Sequence, residues 1–351
     1  MQTKTTLNIV DGIRVVVPDS LDLITTYVLR EQNDWFEDEI KFVRLLLGAG
    51  QKVIDIGANY GLFALSMASI VGPQGRVWAF EPASSTAAFL AESLVINGYT
   101  QVTLDQRALS EKAGTAQLSL NDQAELNELV RGGARAGAGA GAVETVQLTS
   151  LDDAMAQYDW DDIAFMKIDA EGEEAAIIRG GTRFWQTQSP LVQYEVKAGS
   201  SVHLELVEAF ARLGYASYRL VPGLGALMPF DATAPIDGYL LNLFACKPDR
   251  AARLAADGRL VPSDDTDPGA AAELLQRHDA PANYGWQKTL ATLPYGKKLK
   301  TAWLQTVRQG HSGHIEQALA LHALAHAATV PLAQRLAALR ASLAMFEAMC
   351  R

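Results

Sequence analysis

Residues Val53-Ile-Asp-Ile-Gly-Ala-Asn-Tyr-Gly61 carry the chain from a short apolar stretch (52–56) through a glycine turn into an apolar segment of helical length (62–70). Glycine at 57 and 61 lets the backbone turn tightly and lets a ligand come close to the main chain. The same strand-to-helix rhythm continues. Strands are expected at 76–80, 102–104, 163–168, 191–196, 215–220 and 239–246, with helices at 84–96, 173–178 and 203–213. Such alternation implies an α/β fold, a mostly parallel sheet with helices on both faces.

Three regions depart from the rhythm. Ahead of it, residues 9–17 read as a strand or hairpin, and apolar residues at Phe36, Ile40, Val43 and Leu47 give 34–47 helical spacing, stopped by Gly48 and Gly50. Between the third and fourth core strands, 116–120 and 143–148 read as an inserted strand pair. The Gly/Ala run 131–142 between them has almost no side chain to bury and is expected to be a mobile loop. Beyond Lys247 the chain turns rich in Ala and Leu. Helical patterns fall at 250–256, 269–276, 298–307, 315–327 and 332–349, the last two as a hairpin broken at Pro331.

Charge follows the same division. Residues 1–246 hold 17 Lys and Arg against 31 Asp and Glu, whereas 247–351 hold 13 against 9. The expected organisation is an N-terminal lead-in (1–50), a Rossmann-like domain (51–247) and a helical C-terminal extension (248–351), expected to pack as a cap or a homo-oligomer surface. A length of 351 residues accommodates about two domains.

Several functional classes are excluded early. The two cysteines, Cys246 and Cys350, belong to no CxxC pair, which argues against a disulfide framework or zinc ribbon. A formal charge of −10 argues against sequence-independent nucleic-acid binding. No apolar run is long enough for a transmembrane segment, and the start lacks a signal-peptide pattern, so a cytoplasmic enzyme is expected. His322 and His326 share a helix face, but Ala323 stands where HExxH needs Glu, so packing or surface roles are expected. For His203, packing at a helix start is the expectation.

The chemistry concentrates at the carboxyl ends of the expected strands, where open α/β sheets bind ligands. The glycines are spaced GxxxG rather than GxGxxG, which disfavours a diphosphate and hence an NAD-dependent oxidoreductase. Asp55 beside the loop suits an ammonium group, such as that of a methionine moiety. Glu81-Pro82 closes the next strand 20 residues after Gly61, the position from which a carboxylate reaches both hydroxyls of a ribose. Asp169 ends the fourth strand, Glu171 follows on the turn, and Glu195 ends the fifth. Glu173 and Glu174 fit compensation of a helix N-terminus.

The ordered set VIDIGANYG, AFEP, Arg107-Ala-Leu-Ser110, Thr149-Ser-Leu-Asp-Asp153, MKIDAEGEE with Gly180-Gly181, and QYEVK resembles the FkbM family of methyltransferases across roughly 37–246. The resemblance implies a class I, doubly wound Rossmann-like sheet and S-adenosylmethionine as methyl donor. It also implies O-methylation of a hydroxyl on a sugar, glycan or related natural product. Carried over, Asp55, Gly57, Ala58, Asn59, Gly61, Glu81, Pro82 and Ala108 would hold the cofactor. Asp169, Glu195 and Glu171 would serve the acceptor, Asp169 being the first choice of base. A divalent cation held by these acids is an alternative way to acidify a hydroxyl. A non-catalytic binding or assembly protein is the rival of a different class, because fold alone does not fix function.

Overall fold

The computed structural model describes residues 3–121, 124, 127–130, 142–198, 201–234, 240–261, 296, 300–302, 304–305 and 313–350. The chain opens with β1 (Lys4–Asn8), β2 (Arg14–Pro18), α1 (Ile24–Gln32) and α2 (Asp38–Leu46). The core begins with β3 (Lys52–Ile56), α3 (Leu62–Val71), β4 (Arg76–Phe80), α4 (Ser84–Asn97) and β5 (Val102–Asp105). Then come β6 (Ala108–Leu109), β7 (Gly114–Ser119), β8 (Glu128–Val130), β9 (Val143–Thr149) and α5 (Leu151–Tyr158). The core resumes with β10 (Ile163–Ile168), α6 (Glu174–Arg179), α7 (Thr182–Thr187), β11 (Leu191–Glu195), β12 (Lys197–Ala198), β13 (Ser201–Val202) and α8 (Glu205–Arg212). It is followed by β14 (Ala216–Val221), β15 (Ala226–Pro229), β16 (Asn242–Cys246), α9 (Pro248–Ala256), α10 (Gly313–Ala325) and α11 (Leu332–Cys350).

These elements fall into two compact units, one of 1–220 with 229–253, the other of 221–228 with 254–351. In the first unit seven strands run in the order β5-β4-β3-β10-β11-β16-β14. Neighbours from β5 through β11 are parallel, while β16 is antiparallel to both β11 and β14. This is the doubly wound, class I Rossmann-like arrangement. The winding reverses between β3 and β10, so the crevice above their carboxyl ends is the natural ligand site.

Burial explains the order. Val53, Ile54 and Ile56 of β3 and Val77, Ala79 and Phe80 of β4 are almost wholly enclosed, and α3 buries Leu62 to Ala68 and Val71. Parallel strands covered on both faces read as continuous apolar runs. Under the other face an aromatic cluster of Trp160, Phe184, Trp185, Phe210 and Tyr215 packs edge to face.

The inserted strands form a separate sheet in the order β6-β9-β7-β8. β7 and β9 pair antiparallel from Gly114↔Leu148 to Ser119↔Val143. The part of the Gly/Ala loop from 131 to 141 lies outside the described residues.

The lead-in differs from its expected form. The hairpin begins earlier, with β1 pairing β2 from Lys4↔Pro18 to Asn8↔Arg14. The 34–47 helix starts only at Asp38, because the Asp34 carboxylate is drawn away to Arg44. An additional helix, α1, precedes it.

The second unit has its own core of Val221, Leu224, Ala226, Leu321, Leu324, Val330, Leu336 and Ala338. The expected hairpin forms as α10 and α11. Ser342 Oγ donates to the Ala318 carbonyl at 2.7 Å, and Arg335 Nε donates to the carbonyl of Ala325 at the end of α10, also at 2.7 Å. The 269–276 pattern lies outside the described residues. Of 298–307 only 300–302 and 304–305 are described, and these are helical. Among the described residues no helix is long and apolar enough to cross a membrane.

Candidate active site

A cavity of about 260 Å³ opens above the carboxyl ends of β3, β4, β10 and β11. Its floor is the turn after β3. Gly57 has φ +74°, and its N–H and that of Ala58 donate to the Phe80 carbonyl at 3.0 and 2.9 Å, tying the turn to β4. Gly61 has φ +88° and leads into α3, where an added Cβ would meet the Leu90 side chain. Asn59, also at positive φ, folds its carboxamide back to accept the Tyr60 N–H at 2.7 Å.

Glu81 closes β4 beside this turn. One carboxylate oxygen accepts the Asn59 N–H at 2.8 Å and the other the Ala83 N–H at 3.0 Å. Burial pushes its carboxyl up to about 7, against those two hydrogen bonds. Asp55 lines the same cavity and is wholly enclosed, and neither carboxylate oxygen has a hydrogen bond of normal geometry, the Ala64 N–H at the start of α3 exerting only a weak pull. Burial raises it to about 6, with the Lys167 ammonium acting in the opposite direction. A buried carboxylate with so weak a donor is costly, and this one calls for a ligand that brings positive charge or N–H groups.

The opposite wall is acidic. Asp169, Glu171 and Glu195 each offer an oxygen within 4.8 Å of the others, the one grouping among the described residues with the spacing to hold a metal ion. Burial raises Glu171 to about 7 and Glu195 to about 9, and the neighbouring carboxylates, Asp169 foremost, add to both. Glu173 and Glu174 have structural work. Glu173 accepts from Ser110 Oγ at 2.9 Å, and Glu174 accepts the Ala170 N–H at 2.9 Å and the Gly172 N–H at 3.1 Å, holding the loop after β10.

Lys167 joins the two walls, and sequence reasoning passed over it. It lies opposite Asp55 on β3 and Gln193 on β11, and its Nζ reaches Asp169 at 2.6 Å. The ammonium also stands 5.1 Å from the centre of the Phe63 ring. It is buried, yet burial is outweighed by Asp169, Asp55 and Glu37, which together hold it charged. The available signal was a lone cation inside a strand buried on both faces, two residues before Asp169 and so on the same face.

Ten of the eleven site residues expected from the sequence line this cavity: Asp55, Gly57, Ala58, Asn59, Glu81, Pro82, Ala108, Asp169, Glu171 and Glu195. Gly61 does not. It shapes the start of α3 behind the turn. Trp35 and Glu37 from the lead-in also line it and were not expected there, whereas Ala124 and Asn127, which join them with Leu118 and Leu129, belong to the flank 121–128 that was expected to reach the crevice. His203 bonds Glu205 at 2.6 Å at the exposed start of α8. His322 and His326 lie in the other unit with ring centres 4.4 Å apart, and His326 Nδ1 bonds the His322 carbonyl oxygen.

Residues 55–217 match the family model of the methyltransferase FkbM domain. No curated protein matches the chain. Among solved structures, the chain is similar to a candidate rRNA methylase from Clostridium thermocellum, with 12% identity, 61% of this chain and 95% of that one covered, and a TM-score of 0.38. It is similar also to a SAM-dependent O-methyltransferase from Thermotoga maritima, with 15% identity, 69% and 77% covered, and a TM-score of 0.34. A third likeness is a candidate methyltransferase from Streptococcus mutans in complex with SAH, with 10% identity, 60% and 95% covered, and a TM-score of 0.35.

Proposed function

From the match of residues 55–217 to the FkbM methyltransferase domain, we propose that the chain is an S-adenosylmethionine-dependent enzyme that O-methylates a hydroxyl of a sugar, a glycan or a related natural product. The observation that carries the reading is the acidic wall of Asp169, Glu171 and Glu195 facing the turn after β3. Carboxylates accept hydrogen bonds from hydroxyls and can take the proton that an alcohol loses on methylation. The net charge of −10 and this wall both oppose a nucleic-acid acceptor.

The residues fit the cofactor. The enclosed, weakly partnered oxygens of Asp55 suit its ammonium group, Glu81 suits the ribose hydroxyls, and the Gly57 turn lines the same cavity between them. When bound, S-adenosylmethionine supplies an electrophilic methyl group on a sulfonium. The chain's own contribution is to hold a hydroxyl in line with that methyl, and positioning of this kind contributes about 7–11 kcal/mol. Asp169, oriented by the Lys167 ammonium, is the first choice to accept the hydroxyl proton, and Glu195, which burial and its acidic neighbours keep protonated until about pH 9, is the second and serves only once it is ionised. Base assistance adds about 10²–10⁴-fold.

A second reading of the same wall is favoured by the spacing of its oxygens. A divalent cation held by Asp169, Glu171 and Glu195 would acidify a bound hydroxyl and orient a diol. Chelator treatment separates the two, abolishing turnover only if a cation is required.

The test is direct. Purified protein is incubated with labelled S-adenosylmethionine and with glycan, lipid-glycan and RNA fractions. Label as an ether methyl in a glycan fraction supports the reading. Label in RNA overturns it, and failure to bind S-adenosylhomocysteine returns the chain to the class of non-catalytic binding proteins.

A further inference from the structure

The segment ahead of the family match builds part of the same cavity. Trp35 and Glu37 line it from the connection between α1 and α2, well before residue 55 where the match begins. The connection is anchored. Arg44 of α2 forks onto Asp34 at 2.7 and 2.8 Å, and Asp34 also accepts the Trp35 N–H at 2.8 Å. Arg44 donates further to Ser66 Oγ of α3 at 3.0 Å. A two-pronged guanidinium–carboxylate pair fixes direction as well as distance. Both partners are largely covered, with side chains 12% and 20% exposed, so solvent competes weakly for them. Trp35 and Glu37 are thereby tied to the helix that the cofactor turn opens. Glu37 feels both Lys167 and Asp169, and its burial raises the carboxyl to about 7.

We propose that Trp35 and Glu37 form the specificity wall of the acceptor site, taking one ring of a neutral polyol with its C–H face against the indole and a hydroxyl donated to Glu37. The proposal rests on the reading of the acceptor as a hydroxyl compound. An indole beside a carboxylate is an amphipathic pair, and a sugar ring has the matching surfaces: an apolar C–H face and a rim of donors. A purely apolar ring would cover the Glu37 carboxylate and bring it no donor beyond the neighbouring Trp35 side chain. A phosphorylated ligand would bring further negative charge among Glu37, Asp169, Glu171 and Glu195, where the acidic groups already disfavour one another's ionisation. The ring would lie between two acidic surfaces, with its hydroxyls able to donate to both.

The test uses the full chain saturated with S-adenosylhomocysteine and probed by saturation-transfer NMR with methyl hexosides, methyl 6-deoxyhexosides and methyl glucosaminide. Saturation is expected at ring C–H protons of at least one neutral glycoside. Trp35→Ala should reduce it at least fivefold, Glu37→Gln should weaken it, and Trp35→Phe, which keeps an aromatic face, should retain most of it. Calorimetric affinity for S-adenosylhomocysteine should stay within twofold of wild type in both Trp35 variants, which also reports that they fold. Saturation of no neutral glycoside, or equal saturation in Trp35→Ala, overturns the proposal. A preference for the cationic glucosaminide that Glu37→Gln abolishes overturns the neutral class. Methyl label on a glycan with an unchanged KM in Trp35→Ala would overturn the wall alone. Label on RNA or protein would instead overturn the broader reading.

Discussion

A Cβ placed on Gly57 would come within 1.7 Å of the carbonyl oxygen of Asp169. The turn after β3, proposed to face the cofactor, and the loop after β10, proposed to face the acceptor, are thus in backbone contact, reinforced by the Asp169 N–H donating to the Ile56 carbonyl at 3.1 Å. Methyl transfer needs donor and acceptor aligned within fractions of an ångström, and here neither loop can shift without the other.

Gly57→Ala should therefore do more than strain the turn. A non-glycine residue at positive φ costs about 1–3 kcal/mol, and forcing an atom into packed backbone costs about 1–3 kcal/mol more. Urea unfolding should show a loss of roughly 2–6 kcal/mol on these grounds, and calorimetry should show loss of S-adenosylhomocysteine binding. Gly61→Ala should be milder, because its obstruction is the far end of the Leu90 side chain.

Glu81→Ala and Asp55→Asn should each weaken S-adenosylhomocysteine about ten- to a hundredfold, since a hydrogen bond to a charged group contributes about 1.5–3 kcal/mol. Wild-type affinity should also fall as pH drops from 8 to 6. Burial has raised Asp55 to about 6 and Glu81 to about 7, so acid protonates the carboxylates the ligand needs. An affinity independent of pH in the wild type would remove both from the ligand.

Stability of the free protein should have an unusual pH dependence. Burial places Glu37, Glu81 and Glu171 at about 7 and Glu195 at about 9, against an ordinary 4.5. The folded chain then holds more protons than the unfolded one between about pH 4.5 and 9, so this contribution to stability falls as pH rises through that window. The melting temperature should be lower at pH 8.5 than at pH 6. Glu195→Gln should flatten the upper part of the slope.

Lys167→Met should destabilise the fold by about 3–5 kcal/mol at pH 8, as loss of one partner from a buried ion pair does. The loss should shrink at pH 6, where the carboxylates left behind can take up protons. Lys167→Arg keeps the charge and should recover part of the stability. Equal losses at both pH values would mean the ammonium matters only as packing.

Asp169→Asn should preserve S-adenosylhomocysteine affinity within a fewfold while lowering kcat by about 10²–10⁴, the range attributed to a positioned base. Parallel loss of both would assign Asp169 to cofactor support instead.

The core was readable because its strands are enclosed on both faces. β3, β4 and β10 have the bounds their apolar runs imply. α1 was not readable, since its buried face includes Thr25 and Thr26, β-branched residues made helical by packing and by the Thr26 hydroxyl donating to the Pro18 carbonyl. β6 and β8, two and three residues long, are too short to show a period. That Asp55, Glu81 and Asp169 share one cavity was legible for the same reason as the core, because they follow or end its enclosed strands. Trp35 and Glu37 were not, because an indole and an acid at a helix start look like ordinary helix-entry residues until the fold brings them over β10.

The inserted sheet has a consequence for how such an enzyme could change. Leu118, Ala124, Asn127 and Leu129 reach the cavity from a structure that interrupts the chain between β5 and β10 and pairs within itself. Among the described residues its strands take no ladder hydrogen bonds from β3, β4 or β10, which lead to Asp55, Glu81 and Asp169. Exchanging this insert, which runs from β7 to β9, for the corresponding stretch of a protein that matches the same family model is therefore expected to change which acceptor is taken while S-adenosylhomocysteine affinity stays within a fewfold.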